Sequence, residues 1–445
     1  MSARLSVVVP VFNDADGLVR CLTAITGSDF RDFECLVVDD GSTVAIAPVV
    51  ASFGARVIRV DDGPKGPAHA RNIGSASATG DILVFVDADV VIAPGTLRAF
   101  AATFDRDPDV AAVFGSYDDA PATTDFVSQY KNLFHHFVHQ HAGEEAATFW
   151  SGCGAIRRTV FHTAGGFDAV RYPRPCIEDI ELGYRLRAAG HRILLNKHIQ
   201  VKHLKRWTLR GMVKTDVFDR GVPWTQLILE RRRLPNDLNL QFTQRLSAML
   251  AYSMLVYVAL AAFFHNIVLL PLIAGLFIMV VAAMDWSSKS PLFHLNSRRS
   301  EWICYGLIAV IGALAVALDE LRMLPPLAVL LTSMVAGRWL RATGWFGRRL
   351  LLVFVVGALA TIIVVLLSRF SFPIVAPLLA AALLIVLLNF RLYLFFIRTR
   401  GHMFALAALP MHLFYFSYAL ASLLIGVAMF VRGSRNRDQA AAGAA

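Results

Sequence analysis

The sequence predicts an α/β domain on a mostly parallel sheet, followed by an α-helical transmembrane bundle. Three observations carry this. Apolar residues make up 56% of the 445, and the mean hydropathy is +0.54, more than a soluble chain of this length needs. Through residues 1–230, short strand-like runs alternate with amphipathic segments. From Ser247 onward, long apolar runs take over.

Four runs rich in Val, Ile and Phe read as strands: Leu5–Pro10, Glu34–Val38, Ala55–Val60 and Ile82–Val86. Helical spacing fills the gaps, as in Asp16–Thr26 and Ala68–Ala78. Strand–helix alternation of this kind gives a parallel sheet covered on both faces, with ligands bound beyond the carboxyl ends of the strands. Residues 231–246 carry Arg231, Arg232, Arg233 and Arg245 and read as an amphipathic connector at a membrane surface, or as a plain charged linker.

Apolar runs follow at 247–264, 267–284, 302–318, 323–337, 350–368, 372–390 and 403–431, which makes about six or seven helices. Most are long enough for about 30 Å of hydrocarbon. The run 323–337 is the weakest, being short and holding Pro325-Pro326. Residues 432–445 read as a flexible tail.

Charge placement orients the chain. Residues 1–245 hold 28 Lys+Arg against 28 Asp+Glu, and the remainder holds 15 against 5. The positive excess therefore lies among the apolar runs, around Lys289, Arg298 and Arg299, then Arg338, Arg341, Arg348 and Arg349, then Arg391, Arg398 and Arg400. Cationic loops stay cytosolic, which puts residues 1–245 on the same side of a multi-pass plasma (inner) membrane protein. Seven spans would put Arg432, Arg435 and Arg437 outside, against that rule, so the parity of the spans stays open. A nucleic-acid binder would carry its basic patch on the folded domain, so no nucleic acid is expected as a partner. The five cysteines show no zinc or Cys-X-X-Cys spacing and read as reduced thiols. Leu5–Pro10 is short and is followed by acidic turn residues, so it is not read as a signal peptide.

Candidate chemistry clusters at strand ends. Asp87-Ala88-Asp89 follows the strand Ile82–Val86. Two carboxylates at that spacing can hold a hard divalent cation, which would bridge diphosphate oxygens; alone, the pattern also fits a solvated turn. Asp39-Asp40-Gly41 can accept from a base or a ribose, or simply end a strand. The loop Lys65-Gly66-Pro67 enters a helix carrying Arg71, where free N–H groups and a guanidinium suit a phosphate. Glu178-Asp179 could supply a general base, or be the acidic first turn of a helix.

In order and spacing these pieces resemble glycosyltransferase family 2 proteins with the GT-A fold. The matching segments are Val8-Val9-Pro10-Val11-Phe12-Asn13, Val38-Asp39-Asp40-Gly41-Ser42, Ala70-Arg71-Asn72-Ile73-Gly74, Asp87-Ala88-Asp89, Gly152-Cys153-Gly154-Ala155-Ile156-Arg157-Arg158 and Glu178-Asp179. The resemblance covers about the first 225 residues. It implies that Pro10, Phe12 and Asn13 line a nucleotide pocket, and that Asp39 or Asp40 contacts the base or ribose. Arg71 would lie near the ribose and diphosphate, Asp87 at the ribose or the metal, and Asp89 on the metal. Asp179 would be the general base of an inverting, single-displacement transfer, with Glu178 beside it. The implied donor is a UDP- or GDP-linked sugar and the implied cofactor is Mg or Mn.

His203 could complete the metal site or be structural. Arg220 could reach the diphosphate, and Trp224 could stack on an acceptor sugar, with Trp207 nearby. Processive members carry Gln-X-X-Arg-Trp, whereas here His203 stands at the Gln position before Arg206-Trp207. That departure speaks against polymer synthesis. The histidines at 135, 136, 139 and 141 lack an acidic partner at helical spacing, so they read as an amphipathic helix near the acceptor cleft or the membrane.

The C-terminal segments Asn389–Tyr393 and Ala408–Tyr415 resemble the tails of bacterial membrane-attached members, more loosely. There Arg391 and His412 would contact a lipid headgroup or another helix, or anchor at the interface. Transfer of a sugar to a hydroxyl of a lipid or lipid-linked acceptor, in contact with membrane lipids and in cell-envelope synthesis, is the expected function. A phosphate acceptor is already ionised and needs no base, so a polyprenyl-phosphate sugar transferase is the first alternative and a processive synthase the second. A non-catalytic nucleotide-sugar-binding membrane protein is the alternative from another class. A transporter gains little support, since no internal repeat shows in the membrane half.

Overall fold

The computed structural model describes residues 3–232, 234, 238–265, 313 and 372–443, some near the gaps by backbone alone. They divide into two compact units. One comprises Met1–Thr123, Ser128–Phe242 and Ala421–Ala445; the other comprises Thr124–Val127 and Thr243–Leu420.

The first unit is built on one eight-stranded sheet. Its strands are β1 (Leu5–Val11), β2 (Phe33–Asp39), β3 (Arg56–Arg59), β4 (Ile82–Val86), β5 (Val90–Ile92), β6 (Val110–Tyr117), β7 (Cys153–Arg157) and β8 (Arg192–His203). They lie in the order β3-β2-β1-β4-β7-β6-β8-β5. The expected parallel block holds through β3, β2, β1 and β4, and β6 pairs parallel with β8. The sheet is nonetheless mixed: β7 runs antiparallel to β4 and β6, and β5 antiparallel to β8. This antiparallel insertion turns segments from distant parts of the chain toward the strand ends that carry the acidic motifs.

The helices of this unit are α1 (Ala15–Thr26), α2 (Ala47–Ala51), α3 (Pro67–Ala76), α4 (Thr96–Arg106), α5 (Phe126–His141), α6 (Arg158–Thr163), α7 (Glu178–Ala188), α8 (Leu209–Lys214) and α9 (Val222–Arg231). The first two residues of α5 fall in the second unit. Both faces of the sheet are covered. Val7, Val9, Val84 and Val86 share one core with Leu18, Leu22 and Phe100 from α1 and α4. Val8, Leu83 and Phe85 share the other with Ala70, Phe161 and Leu182 from α3, α6 and α7. This is the period-two alternation of a strand buried on both sides. Gly74 of α3 packs directly on Val8 and Val38, where a Cβ would collide with both side chains. That close approach lays the helix carrying Arg71 flat on β1 and β2.

Between α8 and α9, Thr215–Gly221 forms a π-helix, a rare wide turn frequent at functional sites. Gly221 abuts Ser422, and Gly426 abuts Thr225. Small residues thus let this turn pack closely against the segment from Ala421 onward.

The described part of the second unit is helical: α10 (Phe242–His265), α11 (Phe372–Leu388), α12 (Phe390–Arg400) and the start of α13 (His402–Gly443). Residues 372–390, expected as one span, end early. Ala380–Leu388 and Phe390–Arg400 meet at 70°. The cause is Asn389, whose buried amide donates to Ser247 Oγ and to the Ile385 carbonyl and accepts from Gln244, each at 2.8 Å. Arg391, Arg398 and Arg400, expected in a loop, sit on α12 instead. Its Arg391 guanidinium lies 5.9 Å from the centroid of the Phe390 ring. His412 is buried and its Nδ1 lies 3.0 Å from the Tyr393 hydroxyl. Helix α13 runs past residue 431 to Gly443.

Among the described residues, His402–Gly433 is long and apolar enough to cross a membrane, and the bent pair at Asn389 passes the same test if taken as one span. The runs 267–284, 302–318, 323–337 and 350–368 lie outside the described residues, position 313 apart. So do Cys304 and the basic positions between 289 and 349.

Candidate active site

One cavity of about 740 Å³ lies at the carboxyl ends of β1, β2 and β4. Each wall residue is placed by local chain geometry. β1 delivers Pro10 and Phe12, and the Phe12 ring is 45% exposed although large and apolar. Asn13 does not reach the wall. It adopts a left-handed φ of 54°, and its Oδ1 accepts from the N–H and the hydroxyl of Thr43. It therefore holds the β1 and β2 loops together.

Asp39 and Asp40 separate in role. Asp39 is outside the wall, accepting from the Ser42 N–H at 2.8 Å and from Arg59 at 2.6 Å. Asp40 is in the wall, and it accepts from the N–H groups of Lys65 and Gly66 at 2.9 and 2.7 Å. This corrects one expectation. The N–H groups of Lys65 and Gly66, just before α3, are not free for a phosphate, because Asp40 occupies them. The next residue, Pro67, has no N–H to offer.

Arg71 is 4% exposed. It lies 2.6 Å from Asp87 and 3.0 Å from Glu178, so one guanidinium bridges two carboxylates from different elements. Burial works against its charge, but Asp87 and Glu178 outweigh this and hold its pKa above the usual value. Burial raises the Asp87 carboxyl, with Arg71 opposing and Asp89 adding to the rise. Burial likewise raises Glu178 against the pull of Arg71.

The Asp87 N–H donates to the Gly152 carbonyl, which fastens the loop before β7 to the acidic turn. On that loop the Ser151 N–H and hydroxyl donate to Asp179 at 3.1 and 3.2 Å. Asp179 thus stands in the first turn of α7 with a fixed orientation, facing the cavity.

The β5–β8 register pairs Val90 with His203, which sets Asp89 beside the imidazole. Asp89 Oδ2 is 3.4 Å from His203 Nε2. Burial opposes ionisation of Asp89, but the hydrogen bond and charge of His203, with Lys205, outweigh it and hold the carboxyl below its usual value. The expected triad Asp87, Asp89 and His203 does not close as three donors. The ion-pair partner of Asp87 is Arg71, and among the described residues no three His, Cys, Asp or Glu side chains cluster to hold a metal. One carboxylate and one imidazole, Asp89 and His203, are the side chains close enough to share a hard cation.

Arg220 reaches the cavity from the π-helix, and among the described residues it has no hydrogen bond or ion pair. Trp207 lines the wall but is 6% exposed, with Lys205 4.4 Å from its ring centroid. Trp224 also lines it, donating to the Tyr184 hydroxyl at 3.2 Å.

Five rings in the wall were not among the expected site residues: Tyr117, His135, His139, Phe149 and Trp150. Tyr117 ends β6, so the strand-end rule that found Asp87 would have found it. His135 and His139 share one face of α5 by their spacing of four. Their ring centroids are 4.3 Å apart, and both contact Trp150. Burial lowers the pKa of both, that of His139 to about 4, so the imidazoles are neutral. His136 instead meets the Tyr117 carbonyl, and His141 packs on Phe137 of its own helix.

Residues 6–165 match the model of the family described as Glycosyl transferase family 2. The pre-mycofactocin glycosyltransferase of Mycobacterium tuberculosis is 31% identical over 228 residues, 49% of this chain and 46% of that protein. The poly(ribitol-phosphate) beta-N-acetylglucosaminyltransferase TarS of Staphylococcus aureus is 32% identical over 109 residues, 23% of this chain and 19% of that protein. The chain spans less than half the length of these curated relatives. A solved mannosyltransferase from Pyrobaculum calidifontis, in complex with GDP-Man and Mn2+, superposes with a TM-score of 0.41 at 19% identity, over 82% of this chain and 88% of that one.

Proposed function

From the match of residues 6–165 to the glycosyltransferase family 2 model, we infer an inverting transferase that moves a sugar from a nucleoside-diphosphate sugar to a hydroxyl. The carrying observation is convergence. Residues scattered from Pro10 to Trp224 meet in one cavity, and of the candidate site residues only Asn13 and Asp39 stand outside its wall.

The exposed face of Phe12, beside Asp40, suits a nucleobase and ribose. The half-buried guanidinium of Arg220 lacks an anion, and a diphosphate would supply one. A divalent ion, Mg or Mn, would be held by Asp89 and His203, and would neutralise charge on the departing diphosphate. Asp179, aligned by Ser151, would take the proton of the attacking hydroxyl. Glu178 is committed to Arg71 and acts by holding that cation in place.

The acceptor is a lipid or lipid-linked glycan at the cytosolic membrane face, and the reaction belongs to cell-envelope or glycolipid synthesis. The apolar helix His402–Gly433 and the basic excess after residue 245 support this placement. His203 in place of the Gln of processive members supports transfer of single sugars.

The test is a screen of UDP- and GDP-sugars against membrane lipid extract, with Mn2+ or Mg2+, read by release of nucleoside diphosphate. Release that requires both lipid and metal and vanishes with Asp179→Asn is the expected result. No release from any donor would overturn the reading.

A further inference from the structure

We infer that Asn132 is the positioning residue that fixes the tautomer of His203 and presents its Nε2 to a divalent cation shared with Asp89. This rests on the two-donor metal site proposed above. The observation that carries it is the hydrogen bonding on the far side of the imidazole. His203 Nδ1 lies 2.9 Å from Oδ1 of Asn132. Asn132 is 2% exposed and His203 6% exposed, so water does not compete for this contact. The Tyr117 ring stacks on the imidazole, with centroids 4.4 Å apart and planes within 8°. Trp207 lies 6.4 Å away. The ring is therefore held in plane.

An amide oxygen accepts a proton and gives none. With Oδ1 of Asn132 facing it, Nδ1 carries a proton, which leaves Nε2 as the nitrogen available to a cation. Nε2 faces a carboxylate oxygen at 3.4 Å. A positive charge makes this contact favourable: either a proton on Nε2, which pairs with Asp89, or a cation seated between the two groups. The separation is longer than the 2.7–2.9 Å of a charge-assisted N–H···O bond. It falls within the range for two neighbouring donors on one ion: bonds of about 2.0–2.2 Å at right to tetrahedral angles leave them roughly 2.8–3.6 Å apart. The outer contact also makes the imidazole a better donor, as outer partners of metal-bound histidines do.

The same helix braces the surrounding chain. Ser128 Oγ accepts from the Trp207 N–H at 2.7 Å, and Lys131 pairs with Asp216 at 2.6 Å. Asn132 therefore sits on a scaffold that holds it against the strand end.

The test uses the full chain in detergent with 15N-labelled histidine, His203 being assigned by its absence in His203→Gln. Nitrogen shifts should report the Nδ1–H tautomer in the parent protein. Mn2+ affinity, read by electron paramagnetic resonance in the presence of UDP or GDP, should fall about 10–100-fold in Asn132→Leu. Asn132→Asp keeps an acceptor at the same place and should restore affinity to within a few-fold. Metal-free UDP or GDP affinity should be the same in all three, which excludes a folding defect. An Nε2–H tautomer in the parent, or Mn2+ binding by Asn132→Leu equal to the parent, overturns the role of Asn132. Failure of the parent itself to bind Mn2+ overturns the metal reading beneath it.

Discussion

Arg71 lies 2.6 Å from Asp87 and, with its other terminal nitrogen, 3.0 Å from Glu178. One cation on α3 thus ties the acidic turn after β4 to the first turn of α7. Removing it leaves two carboxylates against each other in a part-buried site. Arg71→Met is expected to destabilise the chain by about 3–5 kcal/mol, seen as a fall in the denaturation midpoint. Arg71→Lys cannot span both carboxylates and should fall between the two. A midpoint unchanged in Arg71→Met would show that the bridge is not structural.

Asp179 is held by Ser151 and faces the cavity. Asp179→Asn keeps the shape and removes the carboxylate proposed as the base. A loss of about 10²–10⁴ in kcat is expected, with little change in donor affinity. Calorimetric titration of a nucleotide-sugar checks the second part. Turnover near the parent rate would exclude Asp179 as the base.

Arg220 has no partner among the described residues. Arg220→Ala should weaken nucleoside-diphosphate binding by about 10–100-fold, the range of one hydrogen bond to a charged group. Nucleoside binding should stay within a few-fold. Equal weakening of both ligands would place Arg220 away from the diphosphate.

Burial lowers the His139 pKa to about 4, against about 6.5 in the unfolded chain. Between these values the unfolded state binds more protons, so stability rises with pH. Falling pH should therefore cost stability from about 6.5 downward. The His139 share is on the order of 3 kcal/mol once pH passes the folded value. Burial of His135 adds in the same sense. His139→Phe should flatten the slope of the denaturation midpoint against pH in this window, and an unaltered slope would assign the acid sensitivity to other groups.

Much of this was legible along the chain. Strands β1, β2 and β4 were visible because each is a short run of β-branched and apolar residues ending in acidic or turn residues, and their parallel pairing follows from intervening helices. That Asp40, Asp87, Asp89 and Asp179 would face one cavity was legible because strand ends and helix starts place a side chain by local geometry. The antiparallel entry of β7 was not legible, since pairing between segments far apart in sequence leaves no local periodicity. The break at Asn389 was missed for a related reason: hydropathy sums over a window, whereas one buried amide bonded to Ser247 and Gln244 decided the bend.

The sequence by itself determined which residues are chemically suited to a nucleotide-sugar, because carboxylates, cations and strand ends are properties of the chain. Only the tertiary structure decided their partners. It turned Asp87 to Arg71, gave the α3 entry to Asp40, withdrew Asn13 and Asp39 from the wall, and added Tyr117, His135, His139, Phe149 and Trp150. The physical reason is that charges and hydrogen bonds act across a few ångströms of space. In this fold those ångströms separate residues more than a hundred positions apart, as between Arg71 and Glu178.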